Sequence, residues 1–183
     1  MTVLSPADAA ETAAMVEAMA GWDGPVYLRV CRNDLPAVTG DSQTYRIGQI
    51  TEIMPEGDIA LLATGAMVSI GMEAAGLLAG EGIRLKVINV STIKPLDVDR
   101  LQAVLTGCRA YVTAEEHSVI GGLGSAVHDA LAGRCLLPSA MIGIRDSFGT
   151  SAYSWEELLT HYGLTAADIA AVVRQLSLAT RES

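Results

Sequence analysis

The chain has 183 residues, enough for one domain with an appendage, and half of them are apolar, so a sizeable core can form. Its 21 acidic and 12 basic side chains leave a formal net charge of -9, which argues against nucleic acid or an anionic membrane as the main partner, because both need a basic surface. The three cysteines, Cys31, Cys108 and Cys135, follow no disulfide or metal-ligand spacing and point to a reduced, cytoplasmic setting.

In chain order, the start "MTVLSPADAAET" lacks the basic start and apolar run of a signal peptide, and no apolar stretch reaches membrane-spanning length. Residues 5–20 read as a helix, with Ser5 as N-cap, Pro6 at the first helical position and Asp8 closing a short capping box. "PVYLRVCR" at 25–32 is a β-rich run, and "NDLPAVTGDSQTYRIGQI" at 33–50 reads as a linker. Next come a buried strand at 58–65, an Ala- and Met-rich helix at 66–82 and a strand at 83–92. A helix at 97–107, with Asp97 as its expected cap, precedes a strand at 109–117, a helix at 124–133 and a strand at 139–146. Two helices close the chain, the second capped by Thr165 and Asp168.

Short apolar strands alternating with helices of about ten residues or more predict βαβ units. The fold class is therefore α/β: a three-layer α/β/α domain with a mostly parallel sheet of about five strands, one of which can be antiparallel. It spans residues 46–183, and residues 1–45 precede it with only a helix and a strand. Such a preamble cannot cover both faces of a sheet. It either joins the main sheet or completes a sheet supplied by another chain.

The stretch "TAEEHSVIGGLGSAV" places Glu115, Glu116 and His117 at the carboxyl end of a parallel strand, the edge where open α/β sheets bind ligands. Those three side chains suit acid–base work, and Gly121, Gly122 and Gly124 suit an anion nest at a helix start. Equally, the glycines allow close approach of a helix while the acids and histidine bond backbone at an interface. As a dinucleotide fingerprint the run is weak, since Val127 stands where Gly or Ala belongs. "ATGAMVS" repeats the strand–turn–helix shape, with Gly65 at the turn. His128 and His161 fall within helix patterns as packing or surface residues, and Lys94 has no assigned partner.

The segments "VLSPADAAET", "GPVYLRVCRNDLP", "ATGAMVSIGMEAAGLL", "VINVSTIKPLD", "TAEEHSVIGGLGSAV" and "YGLTAADI" occur in an order and spacing that resemble the C-terminal part of transketolase. The likeness is greatest to the C-terminal subunit of split transketolases and covers essentially the whole chain. It implies a thiamine-diphosphate- and Mg²⁺-dependent enzyme moving a two-carbon ketol unit between sugar phosphates. Residues 1–45 would be the tail of the pyrimidine-binding domain plus a linker, and 46–183 the third domain. The family's metal motif, Gly-Asp-Gly followed by Asn, is absent, and its activating glutamate and substrate-contacting histidines would lie upstream of Met1.

The resemblance therefore implies that the cofactor is held mainly by partner chains. These would carry the pyrophosphate domain and the rest of the pyrimidine domain, in a dimer of heteromers. No catalytic residue is assigned here, and the isolated chain is expected to be inactive. Within "CRNDLP", Arg32 matches the family's arginine for the sugar phosphate, a role that suits a guanidinium fork; the plainer reading is a surface arginine at a strand end. Arg29 is read as its neighbour in the strand. The resemblance favours an interface role for Glu115, Glu116, His117 and the three loop glycines. Other functions in view are a non-catalytic assembly or regulatory module, part of a deoxyxylulose-phosphate synthase, and the beta subunit of a 2-oxoacid dehydrogenase.

Overall fold

A computed structural model describes residues 1–40 and 44–180. Residues 41–43 of the expected linker lie outside the described residues. The main sheet has five strands in the order β3 (Thr51–Met54), β5 (Leu85–Asn89), β4 (Ile59–Ala63), β7 (Ala110–Ser118) and β8 (Ser139–Ile144). All neighbours are parallel except β3, which runs antiparallel to β5. The α/β expectation therefore holds, and the antiparallel member is an edge strand too short to stand out from the linker.

Alternation along β4 builds the three layers. Ile59, Leu61 and Ala63 pack with α2 (Met67–Ala79) and α6 (Ala166–Ala179) on one face. Ala60 and Leu62 pack with α3 (Val98–Leu105) and α4 (Leu123–Leu131) on the other. Because both faces are covered, β4 is buried at every residue, as a central parallel strand must be. Each fully buried Leu or Ile contributes about 1.5–3 kcal/mol. Gly71 lets α2 approach the sheet, since a Cβ there would meet the Leu61 side chain. α5 (Trp155–Tyr162) ends on the left-handed Gly163, and Thr165 and Asp168 form the expected capping box of α6.

The N-terminal part differs from expectation. Thr2–Leu4 is a strand, β1, and the helix α1 begins only at Ala9. Ser5 is not the cap: its amide continues the strand pairing to the Ser91 carbonyl. Proline after Ser5 holds that residue extended, so the helix starts beyond the turn, on Asp8. The β-rich run at 25–32 contracts to β2 (Val26–Leu28). The strand expected at 83–92 divides into β5 and a separate β6 (Thr92–Lys94).

Those short strands form a second sheet, β2-β1-β6, with β1 parallel to β2 and antiparallel to β6. The preamble neither joins the main sheet nor stands apart, because the main body lends it β6. Leu4, Met15 and Tyr45 make its small core. β2 is an edge strand of this sheet, with Tyr27 51% and the following Val30 54% exposed.

Candidate functional site

The carboxyl ends of β1, β2, β4 and β7 converge on a cavity of about 240 Å³ lined by Ser5, Arg29, Arg32, Gly65, Ala66 and Glu116. Arg29 Nη2 donates to Ser5 Oγ at 3.2 Å, and Nη1 donates to the Glu116 carbonyl at 3.4 Å. Arg32 is exposed and has no hydrogen-bond or ion-pair partner among the described residues. The Glu116 carboxylate accepts from Trp155 Nε1 at 2.8 Å, which ties the end of β7 to α5. Helix α2 starts beside the cavity on Ala66, which offers no side-chain cap, so the positive end of that helix adjoins the space. Gly65 is needed at the turn: its φ is +60°, and a Cβ would lie 2.9 Å from Ser5 Oγ.

In the glycine-rich loop, Glu115 is buried and caps α4 from outside the helix. Its Oε2 accepts from the Leu123 amide at 2.7 Å and its Oε1 from the Gly124 amide at 2.8 Å. The helix start thus already holds an anion, and that anion is a carboxylate of the chain itself. Burial pushes the Glu115 carboxyl above its usual value; the two amide bonds and the nearby His117 and Arg29 oppose this.

Gly122, the N-cap residue, is required for this arrangement, because a Cβ there would overlap Glu115 Oε2 and the Ser118 carbonyl. Gly124 seats α4 on the sheet, with Met141 Sδ at 2.6 Å and Thr113 Oγ1 at 2.8 Å from a notional Cβ. Gly121, at φ +75°, donates its amide to Ser125 Oγ. His117 is exposed, with Nδ1 2.9 Å from the Ser118 carbonyl and 3.8 Å from Glu115 Oε2. A carbonyl only accepts, so that contact calls for the Nδ1–H tautomer.

A larger groove of about 530 Å³ lies alongside, with Val3, Tyr27, Leu96 and Ala126 among its apolar walls and Lys94 and His117 on its rim. Glu115, Gly121 and Gly122 face this groove, and Glu116 and Arg32 face the smaller cavity. Arg29 lines both. The residues singled out in the sequence therefore fall on two adjoining spaces, with Arg29 between them. Gly124 lines neither and serves packing.

Sequence reasoning missed the buried polar joint beside this site. Glu11 Oε2 accepts from the Ala7 amide at 2.7 Å, and Oε1 accepts from Ser91 Oγ at 2.7 Å. Asn89 Nδ2 lies 3.0 Å from both carboxylate oxygens. Burial raises the Glu11 carboxyl above its usual value against these bonds. Asp8 meanwhile caps α1 through the Glu11 amide and accepts from the Val38 and Thr39 amides and Thr39 Oγ1. Burial works against the Asp8 charge, but these hydrogen bonds outweigh it and hold the carboxyl below its usual value. The visible signal was the Asp8-x-x-Glu11 spacing before an apolar helix.

Among the described residues no group of three or more His, Cys, Asp or Glu is placed to hold a metal ion. No helix among them is long and apolar enough to cross a membrane.

The family described as transketolase, C-terminal domain, matches residues 48–169. The chain is 38% identical over 179 residues to the 6-deoxy-6-sulfo-D-fructose transketolase subunit SqwH of Clostridium sp. (strain MSTE9), covering 97% of this chain and 55% of that protein. It is 37% identical over 188 residues to a 1-deoxy-D-xylulose-5-phosphate synthase of Heliobacterium modesticaldum, covering 99% of this chain and 28% of that one. A solved structure described as a split gene transketolase, inactive beta4 tetramer, superposes with a TM-score of 0.89 at 41% identity, over 96% of this chain and 57% of that one. The chain spans about half the length of the first curated relatives it matches. From this match and the likeness along nearly its whole length, the chain belongs to the transketolase C-terminal-domain family.

Proposed function

We propose that the chain works as one subunit of a multi-chain, thiamine-diphosphate-dependent transketolase that transfers a two-carbon ketol unit between sugars. The observation that carries this reading is the half-built second sheet. Among the described residues β2 leaves its outer edge unpaired beside the exposed Tyr27 and Val30, in a chain that spans about half of its relatives. An open edge of this kind is a template for a further strand. Residues 1–45 then act as the tail of a pyrimidine-binding domain, and a partner supplies the rest of it together with the pyrophosphate domain, in a dimer of heteromers. Residues 46–183 act as the third domain.

Thiamine diphosphate supplies the electron sink that ketol transfer requires. In this reading the cofactor, with its Mg²⁺, is held mainly by partner chains. The contribution of this chain is assembly and substrate anchoring. Arg32 is free to hold the charged end of the sugar, for which a guanidinium fork is suited. Two relatives are named for sugars ending in a tetrahedral oxyanion, a 6-sulfo group in one and a 5-phosphate in the other. We assign a substrate of that class here. Glu115, Glu116, His117, Gly121 and Gly122 shape the surface beside it. The three free cysteines agree with a cytoplasmic complex.

The test is reconstitution. The purified chain mixed with the candidate partner, thiamine diphosphate and Mg²⁺ is expected to transfer ketol units, and the chain alone is not. A stable complex without turnover would favour a non-catalytic assembly module instead. Synthase activity from pyruvate would point to the deoxyxylulose-phosphate branch.

A further inference from the structure

We propose that Arg29 is a second anion ligand of the cavity that holds Arg32, and that the two guanidinium groups together grip the terminal tetrahedral oxyanion of the sugar. This inference deepens the anchoring role assigned to Arg32 above and rests on that reading.

Arg29 is half-buried, lines the same cavity as Arg32, and makes no ion pair within 4 Å among the described residues. Its two hydrogen bonds, at 3.2 and 3.4 Å, are long and go to a hydroxyl and a carbonyl, neither of which carries charge. A guanidinium offers five donors, so most of its capacity is unspent. A half-buried guanidinium without a direct ion pair is costly, and an incoming anion relieves that cost.

The nearby acids are committed elsewhere. Glu116 gives its carboxylate to Trp155, and Glu115 gives its oxygens to the start of α4. The bonds to Ser5 and Glu116 also hold the guanidinium in place, so little side-chain freedom is lost on binding. The volume of about 240 Å³ suits the end of a sugar phosphate rather than a whole nucleotide. The uncapped start of α2 at Ala66 adds positive potential on the same side. A phosphate monoester and a sulfonate share the chemistry that such a clamp recognises.

The test is a titration of the full chain, labelled with ¹⁵N, with inorganic phosphate in one arm and methanesulfonate in the other. Chloride at matched ionic strength is the control. The Nε–H resonances of Arg29 and Arg32 are expected to shift together and saturate. Arg29→Gln removes the charge while keeping an amide donor on the side chain. It is expected to weaken binding about tenfold or more, the loss of one charged hydrogen-bonding group. Arg29→Lys is expected to recover part of the affinity. Saturation by phosphate alone, or by methanesulfonate alone, identifies which oxyanion the clamp accepts.

The proposal is overturned if Arg29 does not respond while Arg32 does, or if neither responds beyond the chloride control. It is equally overturned if Arg29→Gln binds as the unaltered chain does. The titration needs no turnover, so a failure of ketol transfer in the reconstituted complex would refute the transketolase reading without deciding the clamp.

Discussion

Asn89 Nδ2 sits 3.0 Å from both carboxylate oxygens of Glu11, joining residues 78 positions apart across the junction of the two sheets. The same carboxylate holds the Ala7 amide and Ser91 Oγ. One buried side chain therefore fixes α1 against the end of β5 and the start of β6. It also sets where β1 can pair and where the carboxyl end of β2, with Arg29 and Arg32, comes to rest.

Replacing Glu11 with Ala would take the carboxylate acceptor from three buried donors, the Ala7 amide, Asn89 Nδ2 and Ser91 Oγ. The expected loss is about 3 kcal/mol or more, read as a fall in the denaturant midpoint. The sign with pH is also fixed. Burial raises the folded-state carboxyl above its usual value of 4.5, so the proton is held more tightly in the folded chain. Stability relative to Glu11→Gln should therefore be greatest below pH 4.5 and decline as pH rises through the raised value.

Asp8 behaves in the opposite sense. Its carboxyl lies below the usual 3.8, so its contribution is present above that pH and is lost as pH falls through the lowered value. Asp8→Asn should consequently cost stability at neutral pH and cost less with acidification. Urea unfolding of both chains at several pH values measures the difference.

The layers were legible in the sequence because a central parallel sheet writes itself as apolar runs separated by helices. β4, α2, β7 and the Thr165–Asp168 cap are examples where local pattern and tertiary context agree. The misses have physical causes. β3 has four residues and takes its register from β5, not from its own pattern. The run at 83–92 looks continuous, yet β5 ends at Asn89 and the chain pairs with β1 in a second sheet three residues later, from Thr92. Ser5 carries good cap chemistry, but Pro6 and the pairing to Ser91 keep it extended.

At the site, the motif showed that an anion suits the start of α4. It could not show that Glu115, eight residues earlier, already fills the position. Arg29 read as a strand neighbour because its contacts, Ser5 and Glu116, are 24 and 87 residues away.

Gly122→Ala should destabilise the glycine loop, because the added methyl overlaps a buried carboxylate that cannot move without uncapping α4. A loss of about 2 kcal/mol is expected, with faster hydrogen exchange at the Leu123 and Gly124 amides. Glu115→Ala should speed exchange at the same two amides and cost about 1–3 kcal/mol.

Tyr27 and Val30 are exposed at the open edge, so Lys at both positions should change the stability of the chain itself by only about 0.5 kcal/mol. Binding to the partner subunit should weaken at least tenfold, as measured by sedimentation of the mixed chains.

The most direct measurement is ketol transfer by the purified chain, assayed with thiamine diphosphate, Mg²⁺ and a phosphorylated or sulfonated ketose, first alone and then with the partner that carries the pyrophosphate domain. The account predicts no turnover and no saturable cofactor binding by the chain alone, and turnover once the partner is added. Cofactor binding and ketol transfer by the 183-residue chain without any partner would contradict it.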